Sequence, residues 1–257
     1  MTDGRWEVRE GNCLEVLRTL PDASVDVVIT DPPYGDTSLA WDVRVAGWLP
    51  LVARVLKPSG SLWCFGSMRF FMEQAGAFDG WRYAQDVVWE KHNGSGFADD
   101  RFKRVHEHIV QFYPRGAAWG DIYKEPIYTA DATARTMRRN KQPTHTGHIE
   151  ASAYASHEGG PRLMRSVISA RSCHGYAIHP TQKPVELLVW LIRYSCPPGG
   201  LVLDPFAGSA STGEAALQEG RRFVGIELDA SYHRAASDRL MAVAAQGQLF
   251  AGTGVGT

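Results

Sequence analysis

Short apolar runs alternate with amphipathic segments along most of this chain, and that alternation restricts the fold more than any other feature. "WEVREGN" reads as a strand and turn. "CLEVLRTL" carries apolar residues at helical spacing, with Asn12 placed as an N-cap and Pro21 beyond its end. "VDVVIT" is a buried strand. "VAGWLPLVARVLKPSG" reads as a helix delayed by Pro50 and closed by a Lys-Pro-Ser-Gly turn, "SLWCFG" as a strand, and "MRFFMEQAGAF" as a helix. "WRYAQDVVWEK" and "HEHIVQFY" are longer strands able to pair with each other. From Pro114 to Ile178 the periodicity fades, and a structureless stretch of that length is usually functional or disordered. Order returns with "KPVELLVWLIRYSC", a helix with Pro184 in its first turn, then strand "LVLDPF", helix "SASTGEAALQEG", strand "RRFVGIELD" and helix "ASYHRAASDRLMAVAA". A Gly-rich tail follows from Gln246. Repeated strand–helix units imply an α/β fold, a mostly parallel sheet with helices on both faces.

Charge is uneven along the chain. Net charge is −1, yet Arg101–Gly175 holds 12 Lys/Arg against 6 Asp/Glu and six of the nine histidines. A basic segment set in an acidic body suits a nucleic-acid contact surface, although a solvated basic loop has the same composition. The four cysteines are widely spaced with no CxxC, which argues against a disulfide framework or a zinc site and for a reducing cytoplasm. The polar start "MTDGRWEVRE" has no signal-peptide core, and the run "LLVWLI" is too short to span a bilayer.

Ligands of parallel sheets sit beyond the carboxyl ends of the strands. Two such ends stand out. In "LVLDPFAGSAST" a strand ends at Asp204, a small-residue turn follows, and a helix begins near Ser211 or Thr212. Small residues admit a ligand to the backbone, and a helix N-terminus favours an anionic group. Glu227, 23 residues after Asp204, closes the next strand at a spacing that suits a ribose hydroxyl pair. These features describe a pocket for an adenosine-containing cofactor; a tight corner whose Gly and Ala only pack is the alternative. No full G-x-x-x-x-G-K-[ST] or G-x-G-x-x-G is present, which counts against ATP and leaves little support for NAD.

The other end is "VDVVITDPPYG". Asp31 offers a carboxylate, and Pro32 and Pro33 have no N–H, so this backbone only accepts hydrogen bonds. Carboxylate and carbonyl suit an exocyclic amine, and Tyr34 offers a face to a flat partner. The same residues also suit an ordinary Pro-Pro turn with a surface tyrosine.

The motifs "DPPY", "DPFAGSAST" and "HPTQKP", with the entry segment "GNCLEVLRTLPDASVDVVITDPPY", resemble the amino-methyltransferases of DNA, which use S-adenosylmethionine to methylate adenine N6 or cytosine N4. "LKPSGSLWCFG" and "VVWEKHN" match in character. The order of catalytic motif, variable segment, "HPTQKP" and cofactor motif marks the circularly permuted β-class. The resemblance implies a Rossmann-like methyltransferase fold divided into a catalytic half (1–113), a target-recognition insertion (114–178), a cofactor-binding half (179–245) and a flexible tail (246–257).

It also implies roles. Asp31 and the Pro32 carbonyl hold the target amine, with Asp31 also counted among the cofactor-binding residues, Pro33 shapes the turn, and Tyr34 stacks on the base. Lys183, with Thr181 nearby, meets the methionyl carboxylate. Asp204, Phe206, Gly208 and Ser209 line the methionine and adenine parts, with Ser211, Thr212 and Leu228 in the same pocket, and Glu227 takes the ribose hydroxyls. Asn12 stands where many relatives carry Asp. The cluster "RTMRRNK" (Arg135, Arg138, Arg139, Lys141), with His145, is the candidate contact to double-stranded DNA. The implied enzyme is a site-specific adenine methyltransferase, because "DPPY" is more usual for adenine and "SPPY" for cytosine. A cytosine N4 enzyme, an RNA or protein methyltransferase and an inactive DNA-binding relative are the other readings. Many relatives form dimers. Ala210 departs from F-x-G-x-G: alanine fits there at negative φ, and its methyl stands to crowd the cofactor.

Overall fold

The computed structural model describes residues 4–36, 39, 42–95, 99–138, 153–173, 175, 177–179 and 181–251. It divides into two compact units, Met1–Glu125 with Ser166–Thr257, and Pro126–Arg165.

The first unit is built on an eight-stranded sheet. Its strands are β1 (Trp6–Glu10), β2 (Val25–Thr30), β3 (Leu56–Gly66), β4 (Trp81–Ser95), β5 (Arg104–Pro114), β10 (Val167–Ser169), β11 (Leu201–Asp204) and β12 (Arg222–Glu227). Their order across the sheet is β1-β12-β11-β2-β3-β5-β4-β10. β5 runs antiparallel to both its neighbours, and the other pairings are parallel. The helices are α1 (Cys13–Thr19), α2 (Trp48–Val55), α3 (Met68–Glu73), α4 (Val185–Ser195), α5 (Ser211–Gln218) and α6 (Ala230–Ala251).

Strand alternation divides the core between the two faces. On β2 and β3, Val27, Ile29, Trp63 and Phe65 pack with Leu187, Ile192, Ala215 and Leu240 of α4–α6. Val28, Leu62 and Cys64 pack with Leu17, Val52 and Phe70 of α1–α3. Each fully buried Val, Leu, Ile or Phe contributes roughly 1.5–3 kcal/mol through surface removed from water. Every residue of β2 is buried, Asp26 included. That acid is satisfied by Lys57 Nζ and the Leu201 amide, each at 2.8 Å.

Three details depart from the sequence reading. Lys57–Gly60, read as a closing turn, lies inside β3: Leu56 pairs with Val25 and Ser61 with Val27, and the extra residues bulge out between. The bulge delivers Lys57 to Asp26. Gly60 is needed in it, because a Cβ there would stand 2.7 Å from the Asp26 carbonyl. The helix read over "MRFFMEQAGAF" stops at Glu73 and continues as a 3-10 turn, Ala75–Phe78. The last helix reaches Ala251, because one glycine at 247 costs only about 1 kcal/mol and does not end a helix.

The second unit holds two antiparallel hairpin-like pairs. β6 (Tyr128–Ala132) pairs with β9 (Gly160–Leu163), and β7 (Arg135–Arg138) pairs with β8 (Ala153–Ser156). It is narrower than the aperiodic stretch 114–178. The flanks of that stretch join the first unit, where Tyr123 N donates to Ser59 O, Glu125 N donates to Tyr194 O, and β10 pairs with β4.

Candidate active site

The two acid-tipped strands are direct neighbours. β2 and β11 run parallel, with Val202 beside Val27 and Leu203 beside Val28, so their tips emerge at one edge. The last residue of β2 ties them together: Thr30 Oγ1 donates to Asp204 Oδ1 at 2.7 Å. Thr212 Oγ1 donates to the other Asp204 oxygen at 2.8 Å, and Phe206 N to Oδ1 at 3.1 Å. Asp204 is thus a clamp joining β2, β11 and the start of α5. Burial pushes its carboxyl up to about 6, with its three donors opposing and Asp31 adding to the rise.

The turn from Pro205 to Ala210 brings the chain into α5. Ala210 has φ 54° and ψ 39°, the left-handed region, where the sequence reading had asked for a negative φ. Its methyl is fully buried in the core beside Ala207 and is not among the groups lining the cavity below, so it does not crowd that space. Left-handed alanine costs about 1–2 kcal/mol. Glycine relieves that strain but forfeits about 0.8 kcal/mol of methyl burial and gains freedom when unfolded. Ala210→Gly is therefore expected to be close to neutral. Ala210→Val adds branching and bulk at a closed position, and thermal melting is expected to fall by about 4–8 °C. An unchanged melting temperature for the valine variant contradicts the left-handed backbone.

A cavity of about 730 Å³ opens over these tips. All of the residues assigned to the cofactor from sequence line it: Asn12, Asp31, Thr181, Lys183, Asp204, Phe206, Gly208, Ser209, Ser211, Thr212, Glu227 and Leu228. Glu227 Oε2 accepts from Gly208 N and Oε1 from Asp229 N, both at 2.8 Å. Burial raises its carboxyl, and these amides oppose the rise. Gly208 has φ +51°, and a Cβ there would lie 3.5 Å from the His179 ring. Asn12 serves two ends, capping α1 through Leu14 N at 2.9 Å while facing the cavity. Ser209 and Ser211 are held by Arg239 of α6, at 2.9 Å to the Ser209 carbonyl and 3.0 Å to Ser211 Oγ.

Three of the "DPPY" residues divide between two spaces, and Tyr34 lines neither. Asp31 and Pro33 line the large cavity; Pro32 and Pro33 line a second one of about 320 Å³ with Trp48, Phe70 and Phe78. Tyr34 donates its hydroxyl to Asp31 Oδ1, and its ring lies 5.1 Å from Phe70 at 44°. Burial, with Asp31 beside it, pushes that phenol well above its ordinary range. The backbone after Tyr34 is anchored by Asp42, which accepts from Gly35 N at 2.8 Å and Asp36 N at 3.0 Å, and by Arg44 on the Tyr34 carbonyl.

Asp31 belongs to a chain of alternating charge. Lys183 Nζ donates to Asp31 Oδ2 and stands 3.6 Å from Glu107 Oε2, while Lys91 donates to Glu107 Oε1. Burial raises the Asp31 carboxyl; Lys183 opposes this, and Glu107 adds to it. Burial alone would lower Lys183, but Asp31 and Glu107 outweigh it and hold the ammonium above its ordinary range. Glu107 is held below its own range, because Lys183 and Lys91 outweigh burial. Burial and the nearby Lys183 push His179 down to about 4, so its ring is neutral at pH 7.

The residues assigned to DNA lie in the second unit or outside the description. Arg135 and Arg138 begin and end β7, and Arg135 is exposed. Arg139, Lys141 and His145 lie outside the described residues.

Residues 25–238 match a family model described as a DNA methylase, the N6/N4 methyltransferases. The chain belongs to this family of DNA methylases. The methylase is 28% identical over 265 aligned residues to the Type II methyltransferase M.HinfI of Haemophilus influenzae, covering 91% of this chain and 67% of that protein. Among solved structures, the M1.HpyAVI–SAM complex superposes with a TM-score of 0.61 at 24% identity, covering 91% and 98% of the two chains. The PvuII cytosine-N4-specific DNA methyltransferase gives 0.67 at 16% identity, covering 94% and 92%. These likenesses place the Rossmann-like α/β fold of the methylase.

Sequence reasoning missed Glu107, Lys91, Asp42 and Arg44. An acid inside the apolar strand "HEHIVQFY" and a lysine inside "VVWEK" were the available signals for the first two. Buried strand positions rarely carry unpaired charge, so each asked for a partner. Asp42 and Arg44 carried no such pattern.

Proposed function

We propose that this methylase transfers a methyl group from S-adenosylmethionine to the exocyclic N6 amine of an adenine flipped out of double-stranded DNA, at a defined sequence. The observation that carries the reading is the Asp31 carboxylate on the wall of the cavity that also holds Glu227 and Asp204. The cavity suits the cofactor in size and chemistry. Its volume lies within the usual range of about 300–1,000 Å³ for ligand sites. Glu227 offers an acceptor for ribose hydroxyls, Gly208 leaves the backbone open, Phe206 and Phe65 give apolar walls, and the acids favour a cationic ligand. When bound there, S-adenosylmethionine supplies an electrophilic methyl on a sulfonium.

The chain supplies position and charge. An aryl amine is a weak nucleophile because its lone pair is conjugated with the ring. Asp31 and the Pro32 carbonyl accept its two N–H groups, draw the amine out of plane and aim the lone pair into the cavity. The Tyr34 ring gives the extruded base a stacking face. Methylation of cytosine C5 has no support here, since it needs a thiolate. Burial pushes the thiol of Cys13, the cysteine that lines the cavity, up to about 11.

The compact unit Pro126–Arg165 and its flanks, with Arg135, Arg138, Arg139, Lys141 and His145, form the target-recognition region in this reading. Adenine is favoured by "DPPY", while the likeness to a cytosine-N4-specific enzyme keeps N4 as a second reading. Nucleoside mass spectrometry of duplex DNA and of RNA, each incubated with the enzyme and isotopically labelled cofactor, separates them. N6-methyladenine is the expected product; N4-methylcytosine transfers the reading to cytosine, and label in RNA alone overturns it.

A further inference from the structure

Glu107 has a feature that its place in β5 does not require. Its Oε1 is held by Lys91, but Oε2 is buried and accepts no hydrogen bond among the described residues. A buried carboxylate oxygen without a donor is uncommon and calls for an explanation. Lys183 stands 3.6 Å from it and is hydrogen-bonded to Asp31 instead. Lys183 is almost fully buried, resting 5.1 Å over the Phe65 ring and donating to the Thr181 carbonyl at 3.2 Å.

Both Asp31 oxygens are taken within the chain, one by Tyr34 and one by Lys183. Each oxygen keeps a further lone pair, but a substrate amine that bonds to Asp31 competes with both partners for its charge, and of the two the Lys183 ammonium is the one with a second acid nearby. A buried ammonium released from its acid needs another acid within reach. Glu107 Oε2 is that acid: a shift of Nζ by about 0.7 Å turns 3.6 Å into a normal hydrogen bond.

We propose that Glu107 is a positioning residue, which takes over the Lys183 ammonium as Asp31 turns to the substrate amine. The inference rests on the reading of Asp31 as the amine's acceptor. The hand-over keeps the four-membered array of Asp31, Lys183, Glu107 and Lys91 intact in net charge while freeing one carboxylate oxygen at the reacting centre. Lys91 fixes Glu107 from β4, so the acceptor is already in place. Glu107 acts through Lys183 and does not itself meet the base.

Two variants separate charge from shape. Glu107→Gln keeps the size and loses the charge, while Glu107→Asp keeps the charge on a shorter stem that the flexible lysine can follow. Calorimetry with S-adenosylmethionine counts the competent sites and gives the cofactor affinity, so that a partly folded preparation is still read correctly. Per competent site, Glu107→Gln is expected to lower the single-turnover rate by about tenfold or more, with Glu107→Asp within about threefold of the parent. DNA affinity is expected to stay unchanged in both.

A second readout does not depend on turnover. The groups facing Lys183 are Asp31 after β2, Glu107 on β5 and His179 on its own segment, with Tyr34 and Lys91 behind the two acids. Glu107 raises the Lys183 pKa, so removing its charge must let the ammonium lose its proton at lower pH. The carbon-13 resonance of Lys183 Cε, assigned by its loss in Lys183→Arg, is expected to titrate at lower pH in Glu107→Gln than in the parent or in Glu107→Asp. Equal rates in all three proteins, equal losses in both variants, or an unmoved Lys183 titration overturn the proposal. If Asp31→Ala retains turnover, the reading of Asp31 fails; if Asp31→Ala is inactive and Glu107→Gln turns over at the parent rate, only the role of Glu107 fails.

Discussion

Asp31→Ala is expected to lower single-turnover methyl transfer by at least about 10³-fold, the scale on which one preorganised electrostatic group at a reacting centre acts. The variant should remain folded, because Lys183 retains Glu107 as a nearby acid and Asp204 keeps its three donors. Cofactor affinity is expected to change by no more than about threefold, since the contact proposed for Asp31 is made to the amine and not to the cofactor. Rapid quench with labelled cofactor measures the first quantity and calorimetry the second. Turnover at the parent rate would remove Asp31 from the chemistry altogether.

Glu227→Ala should produce the opposite pattern. Its carboxylate is the acid at the tip of β12, tied to Gly208 N and Asp229 N and facing the cavity. Hydrogen bonds from hydroxyls to a charged acceptor contribute about 1.5–3 kcal/mol, so loss of the acid should raise the cofactor Kd by roughly 10–150-fold. At saturating cofactor the methyl-transfer rate should stay close to that of the parent. A parental Kd with a reduced rate would mean that Glu227 shapes the turn through Gly208 and does not hold the ribose.

The sheet and the strand tips were legible because each rests on local pattern, whereas Asn12, Thr181, Lys183 and Leu228 were placed at the cofactor by the family resemblance. An apolar run such as "VDVVIT" reports its burial directly, and an acid followed by prolines or small residues marks where the run ends. The pairing of Glu107 with Lys183 was not legible in that way, for the two are 76 positions apart and only the tertiary fold brings them together. The bulge at Lys57–Gly60 was hidden for a related reason. Lys-Pro-Ser-Gly has turn chemistry, and only the pairing of Leu56 and Ser61 with β2 shows the strand continuing through it. Ala210 shows a third limit: an alanine in the sequence carries no sign of φ, and here the corner between β11 and α5 imposes the left-handed one against intrinsic preference.

The position of β11 and β12 has a consequence for biogenesis. Among the described strands they come last in sequence, yet they lie between β1 and β2, which come first. On a chain emerging from the ribosome, β1 has no partner until residues 222–227 appear, and one edge of β2 stays open until residues 201–204 do. Residues 201–227 must therefore be made before β1 and β2 can be joined, a long-range closure that slows folding and leaves unpaired strand edges exposed meanwhile.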